Sequence, residues 1–75
     1  MLPNATYIAN AQKWLKENFE NLMVDTWMYS VSVDEEKGIA IVSGSVSDRE
    51  RKQRPFSILL NEEGTVIPHR SEVRS

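Results

Sequence analysis

Four cationic side chains lie within seven residues, in the segment D-R-E-R-K-Q-R that runs from Asp48 to Arg54. The four are Arg49, Arg51, Lys52 and Arg54. Guanidinium and ammonium groups donate to phosphates and carboxylates, so this pattern indicates a contact surface for phosphate or for an acidic protein patch. The alternative is a solvated loop, because Asp48 and Glu50 neutralise part of the charge and exposed charge pairs contribute little.

Two pairs of adjacent glutamates supply the opposite charge. They are Glu35, Glu36, Glu62 and Glu63. Carboxylates from two neighbouring loops could hold a hard cation, but such sites also recruit carbonyl oxygens and further carboxylates. We therefore expect an acidic surface here and no metal site.

Catalytic chemistry finds little support in the sequence. His69 is the only histidine, cysteine is absent, and no glycine-rich phosphate loop is present. Ser43, Ser45 and Ser47 have no base that the sequence positions beside them, so they are typical of a strand face. We expect neither an enzyme nor a cofactor.

Two aromatic residues have two interpretations. Tyr7 and Trp14 lie together on one flank of the first predicted helix, where they either join the core or form an exposed contact. We include both in the predicted partner-binding set, together with Arg70 and the four cations above. Trp27 is predicted to lie in the core.

Length and composition limit the classes of protein. The chain has 75 residues, a formal net charge of −2 and no cysteine. The charge argues against generic nucleic-acid binding, and the missing cysteine excludes a disulfide framework. With no apolar run of about 18 residues and no basic-then-apolar leader at the N-terminus, we expect a cytoplasmic protein without membrane attachment.

The apolar pattern of residues 5–23 predicts a helix. Ile8, Ala11, Leu15, Phe19 and Leu22 fall on one stripe at the helical period. Asn4 is the predicted N-cap, and Pro3 suits a helix entry.

After Asp25 the period changes to two, which predicts strands. We expect strands at residues 26–34, 39–47 and 56–60, and a weaker fourth at 65–69. If the first loop spans residues 35–38, Val33 faces Ala40, Val31 faces Val42, and Trp27 faces Val46. This register makes one face wholly apolar, so it is favoured over an odd loop.

These elements predict an α+β fold with one amphipathic helix packed on a three- to four-stranded antiparallel meander. Residues 1–70 form a single domain, and residues 71–75 are a frayed tail. A helix followed by three strands is similar to the first part of double-stranded-RNA-binding domains, but the second helix with its lysine cluster is missing. Residues 26–34 form one sheet edge, and Pro68 places the fourth strand at the other.

A meander places alternate connections at opposite ends of its sheet. The four glutamates should therefore share one end, and the cations of residues 48–54 should share the other with His69 and Arg70. We interpret the chain as a small protein-interaction module that regulates or inhibits a larger complex by occluding its surface. A complex that handles nucleic acid is one candidate for this partner. The alternative function is nucleic-acid binding through residues 48–54. A homodimer formed through residues 26–34 is compatible with either function.

Overall fold

A helix precedes an antiparallel sheet in the computed structural model, which describes residues 2–19, 22–23 and 29–74. The elements are α1 (Asn4–Asn18), β1 (Leu22–Met23), β2 (Ser30–Asp34), β3 (Ile39–Asp48), β4 (Gln53–Asn61), a 3₁₀ helix (Pro68–Arg70) and β5 (Glu72–Val73). The sheet curls into a half-barrel, and α1 packs on it through β2, β3 and β4. The predicted α+β class is confirmed.

Helix α1 is shorter than the apolar stripe predicted. It ends at Asn18, whose side-chain amide donates to the Trp14 carbonyl at 2.8 Å, and Phe19 is already extended. Leu22 and Met23, predicted as helical, instead pair with β3. Phe19 and Leu22 still pack against the core, so the extended chain keeps their burial and also gives β3 a backbone partner.

The start of α1 also differs from the prediction. Pro3, not Asn4, is the N-cap, and no side chain caps the helix. The Pro3 carbonyl accepts from the amides of Thr6 and Tyr7 at 3.0 and 3.4 Å. The fixed φ of proline favours this entry, and Asn4 is then the first helical residue.

Strand β3 is the centre of the sheet. It pairs with β4 on one side, and with β1 and β2 on the other. The predicted register is confirmed within β2, where Val33 faces Ala40 and Val31 faces Val42. The predicted Trp27–Val46 pair lies outside the described residues.

The register along β3 changes between its two partners on this side. Met23 pairs with Ser47, whereas Ser30 pairs with Ser43. Met23 and Ser30 are seven positions apart in the chain, whereas their partners Ser47 and Ser43 are only four positions apart in β3. β2 begins at Ser30, and residues 26–28 of the predicted strand lie outside the described residues.

The core lies between α1 and the inward face of the sheet. Its fully or almost fully buried apolar side chains are Tyr7, Ala11, Leu15, Ala40, Val42, Val46, Phe56, Ile58 and Leu60. Tyr29, just before β2, meets the Phe56 ring edge-on with centroids 5.1 Å apart. The even-numbered residues of β3 and β4 point inward, as the period of two predicts.

The segment after β4 corrects two predictions. Val66 makes only an isolated bridge to Leu60, and Pro68–Arg70 is a 3₁₀ helix, so residues 65–69 are not a strand. Residues 71–74 are not frayed, because β5 pairs Val73 with Phe56, and the Arg74 amide donates to the Pro55 carbonyl at 2.8 Å. The tail is held by backbone pairing with the free edge of β4, which the composition of the tail does not predict.

Candidate functional site

Two charged surfaces lie at opposite ends of the β3–β4 pair. Ile39 pairs with Asn61 at one end and Ser47 with Gln53 at the other. The loops that follow β2 and β4 are therefore neighbours, and the loop that joins β3 to β4 is distant from both. Ten residues of β3 separate the ends by about 30 Å, well beyond the Debye length of about 8 Å at physiological salt.

The cationic turn, residues 48–54, is organised by the Asp48 carboxylate. Its Oδ1 accepts from the amides of Glu50 and Lys52 at 2.8 and 2.9 Å, and its Oδ2 accepts from Arg54 Nε at 2.9 Å. Asp48 also closes the turn through its backbone, donating to the Lys52 carbonyl and accepting from the Arg51 amide at 3.0 Å each. Five hydrogen bonds from one residue fix the loop.

These contacts shift the acidity of Asp48. The Lys52 amide that donates to the carboxylate holds the pKa of Asp48 below its usual value of 3.8, and Arg54 and the Glu50 amide act in the same direction against the opposing effect of burial. The residue is only 6% exposed. A buried carboxylate with an arginine partner and two amide donors stays ionised at neutral pH.

Arg51 adopts a left-handed backbone conformation with φ of +64°. The turn that begins at Asn61 has the same hydrogen bonds: Asn61 Oδ1 accepts from the amides of Glu63 and Thr65, and its carbonyl accepts from the Gly64 amide. Gly64, with φ of +85°, occupies the place that Arg51 has in the cationic turn. The chain thus places an arginine where its matching turn has a glycine.

Packing accounts for the glycine. A Cβ on Gly64 would lie 2.8 Å from both Asn10 Nδ2 and Leu2 Cδ1, so a larger residue would have to displace the ends of these two side chains. Arg51 projects from an exposed loop and meets no such limit.

The acidic end consists of Glu35, Glu36, Glu62 and Glu63. Together with Lys37, Gly38 and Asn61 they line an open cleft of about 430 Å³. Helix α1 fixes one wall, since Tyr7 Oη donates to the Glu62 carbonyl at 3.4 Å and Asn10 Nδ2 donates to the Gly64 carbonyl at 2.9 Å. Residues 34–38 and 61–64 hold five acids and one base, a net charge of −4.

The cations of the predicted site have different surroundings. Arg49, Arg51 and Lys52 are exposed, and Lys52 lies 3.6 Å from Glu50 in a pair of very exposed side chains. Arg54 is engaged by Asp48 and is half-buried. The turn has four bases and two acids, a net charge of +2, so the acidic end is the stronger of the two charged surfaces.

Arg70 and His69 do not join the cationic turn. The Ile67 amide donates to the Leu59 carbonyl, and the Leu59 amide donates to Ser71 Oγ, so the 3₁₀ helix between them stays beside Leu59, toward the Asn61 end of β4. Residues 68–70 form this helix, which begins at Pro68, and the chain does not move further along β4 over these three residues. The cation nearest Arg54 along this edge is Arg74, beside Pro55 and 3.2 Å from Glu72.

The two aromatic candidates are also separated. Tyr7 is completely buried and belongs to the core, which corrects its inclusion among the contact residues. Trp14 is half-buried and meets Phe19 edge-on with centroids 5.7 Å apart. Part of the Trp14 ring therefore remains accessible on the flank of α1.

Within residues 2–19, 22–23 and 29–74, no three His, Cys, Asp or Glu side chains are placed to hold a metal ion. His69 is exposed, and Ser45 contacts Gln53, which also donates to Ser47. None of the helices described is long and apolar enough to cross a membrane. Comparison with protein-family models, curated proteins and solved structures finds no match.

Sequence reasoning missed the role of Asp48. We counted it as a partial neutraliser of the loop, whereas its carboxylate builds the loop. A signal was present in the parity of β3, because residue 48 has the same inward direction as Val42 and Val46. An acid at an inward position next to an arginine-rich loop indicates a buried ion pair.

Proposed function

We propose that this chain is a small non-catalytic protein-interaction module that regulates or inhibits a larger protein or complex by occluding its surface. The observation that carries the proposal is the pre-organised cationic turn, in which Asp48 fixes the loop and leaves Arg49, Arg51 and Lys52 exposed. A loop ordered before binding loses less entropy when it binds. The absence of cysteine favours a cytoplasmic setting for this activity.

The partner surface that fits this turn is acidic protein. Arginine presents planar paired donors to carboxylates, and two of the three exposed cations are arginines. The left-handed Arg51 supports the proposal, because an unfavourable backbone conformation at an exposed arginine is explained if the guanidinium is needed in that direction. The −4 charge of the acidic end disfavours approach of a second acidic surface there, so it orients the module.

Nucleic-acid binding through the same turn is the second candidate. A two-stranded ribbon with arginines at its end has the form that enters a major groove. However, Arg54 is occupied by Asp48 and Glu50 lies beside Lys52, so only two or three phosphates are within the turn's capacity. Binding to duplex DNA would then show a log–log salt slope of about −2 to −3.

Two matched variants test the proposal. The first removes three cations through Arg49→Gln, Arg51→Gly and Lys52→Gln and keeps the Asp48–Arg54 pair. The second removes three acids through Glu35→Gln, Glu36→Gln and Glu63→Gln. Each is used with the wild type as bait in cells of the source organism, and captured proteins are identified by mass spectrometry.

We expect the first variant to lose a protein partner that the second retains. Identical partner lists for the wild type and the first variant would reject the cationic turn as the contact surface. Titration of duplex DNA at about 50 mM salt with the same proteins distinguishes the second candidate, because binding lost only by the first variant would favour nucleic acid.

A further inference from the structure

The outer edge of β2 has no strand beside it in the described part of the chain. β2 pairs only with β3, so alternate amides and carbonyls of Ser30–Asp34 point away from the sheet. Val33 faces inward with Ala40, yet it is 36% exposed, because the core cluster does not extend over this edge. β2 contains no lysine or proline that would block strand pairing.

The residue pattern of β2 is complementary to itself. S-V-S-V-D reads almost the same in both directions about Ser32. In an antiparallel pair centred there, Val31 of one copy faces Val33 of the other, and Ser30 faces Asp34. The valines extend the inward apolar face, the serine hydroxyl can donate to the carboxylate, and no two like charges are opposed.

We propose that β2 pairs with β2 of a second copy around a two-fold axis at Ser32. The pairing is isologous, so each contact occurs twice, and it joins the two sheets into one. Five residues per strand make a small interface, below about 1,200 Å², so the dimer is weak. Ile41 faces Ser32, and Asp48 lies seven residue steps beyond Ile41 along β3, which puts the two cationic turns roughly 45 Å apart at opposite ends.

Charge substitutions at the axis test the register. Ser32→Lys places two lysines opposite each other and should weaken dimerisation about two- to fivefold, and Ser32→Glu should do the same. An equimolar mixture of the two should form a heterodimer tighter than either homodimer. Ser30→Lys places lysine opposite Asp34 twice and should strengthen dimerisation about 2- to 30-fold.

Sedimentation velocity from about 5 to about 300 μM measures these constants for each protein, and urea unfolding checks that each variant folds. Ser30 and Ser32 are exposed, so both substitutions should leave the fold intact. A wild type that stays monomeric over this range would overturn the proposal. So would equal effects of Ser30→Lys and Ser32→Lys, since only the proposed register separates them. Self-association is measured without a partner, so the result is independent of the proposed function.

Discussion

Arg51 and Gly64 occupy matching positions in two turns with the same hydrogen bonds, and they differ in what surrounds them. The left-handed conformation costs an ordinary residue free energy that glycine does not lose. Both turns require a left-handed backbone at this position. Close contact with neighbouring side chains limits the residue only at Gly64.

Arg51→Gly is predicted to raise the free energy of unfolding by about 0.5–1 kcal/mol, because relief of the left-handed conformation exceeds the added entropy of the unfolded chain. Urea unfolding at neutral pH measures the change. Arg51→Lys is the matched control, since it keeps both the strain and the charge and should leave stability within about 0.5 kcal/mol of wild type. A destabilised glycine variant would mean that the Arg51 side chain itself holds the turn.

Asp48 makes the cationic turn sensitive to acid. Its pKa is lowered in the folded state, so its contribution to stability is fully present above the ordinary pKa of 3.8 and is lost as pH falls through the folded value. We predict that Asp48→Asn is less stable than wild type at pH 7 and that the difference narrows below pH 3.8. Thermal unfolding from pH 7 to pH 2 measures it, and a gap independent of pH would exclude the charge as the cause.

At the scale of elements, α1 and the β2–β3 hairpin followed from local pattern. The helical stripe located the inward face of α1, and loop parity gave the register of Val31 and Val33. The end of α1 could not be predicted from the local pattern. Phe19 and Leu22 would continue the apolar stripe if they were helical, but they also pack against the core outside the helix. The open edge of β3 decided between these two arrangements.

The C-terminal segment, residues 71–74, stabilises the fold through contacts with β4 and the core. Ser71 Oγ accepts from the Leu59 amide at 3.0 Å and donates to the Ile67 carbonyl at 2.8 Å, and Val73 packs against the core. Deleting residues 71–75 is predicted to lower the free energy of unfolding by about 2–4 kcal/mol through these losses.

The matched substitution Ser71→Ala should cost about 1–2 kcal/mol, because it leaves the Leu59 amide without its acceptor. Glu72→Ala, at an exposed position, serves as the control and should change stability by less than about 0.5 kcal/mol. Urea unfolding of the four proteins gives these values. An unchanged midpoint for the deletion would mean that the tail does not hold the edge of β4.

Across the whole molecule, the strand topology determines where the charged residues lie, and the overall composition does not reveal it. A chain with a net charge of only −2 has a −4 end and a +2 turn because successive reversals return alternate loops to the same end. The longest dimension of 39 Å keeps these fields separate at physiological salt. The edge of β2 ends beside the acidic end, where Asp34 pairs with Ile39, so the proposed dimer leaves the cationic turn free.

The amino-acid pattern alone determined the helix, the inward faces of the strands, the first hairpin register and the separation of glutamates from arginines. Each depends on contrast between apolar and polar residues along one continuous segment, or on the parity of one loop. Tertiary structure decided that Asp48 is buried, that Leu22–Met23 is a strand, that Arg70 lies in a 3₁₀ helix held beside Leu59 and that residues 71–74 are anchored. These outcomes depend on hydrogen-bond partners far away in the chain, which a local pattern does not encode.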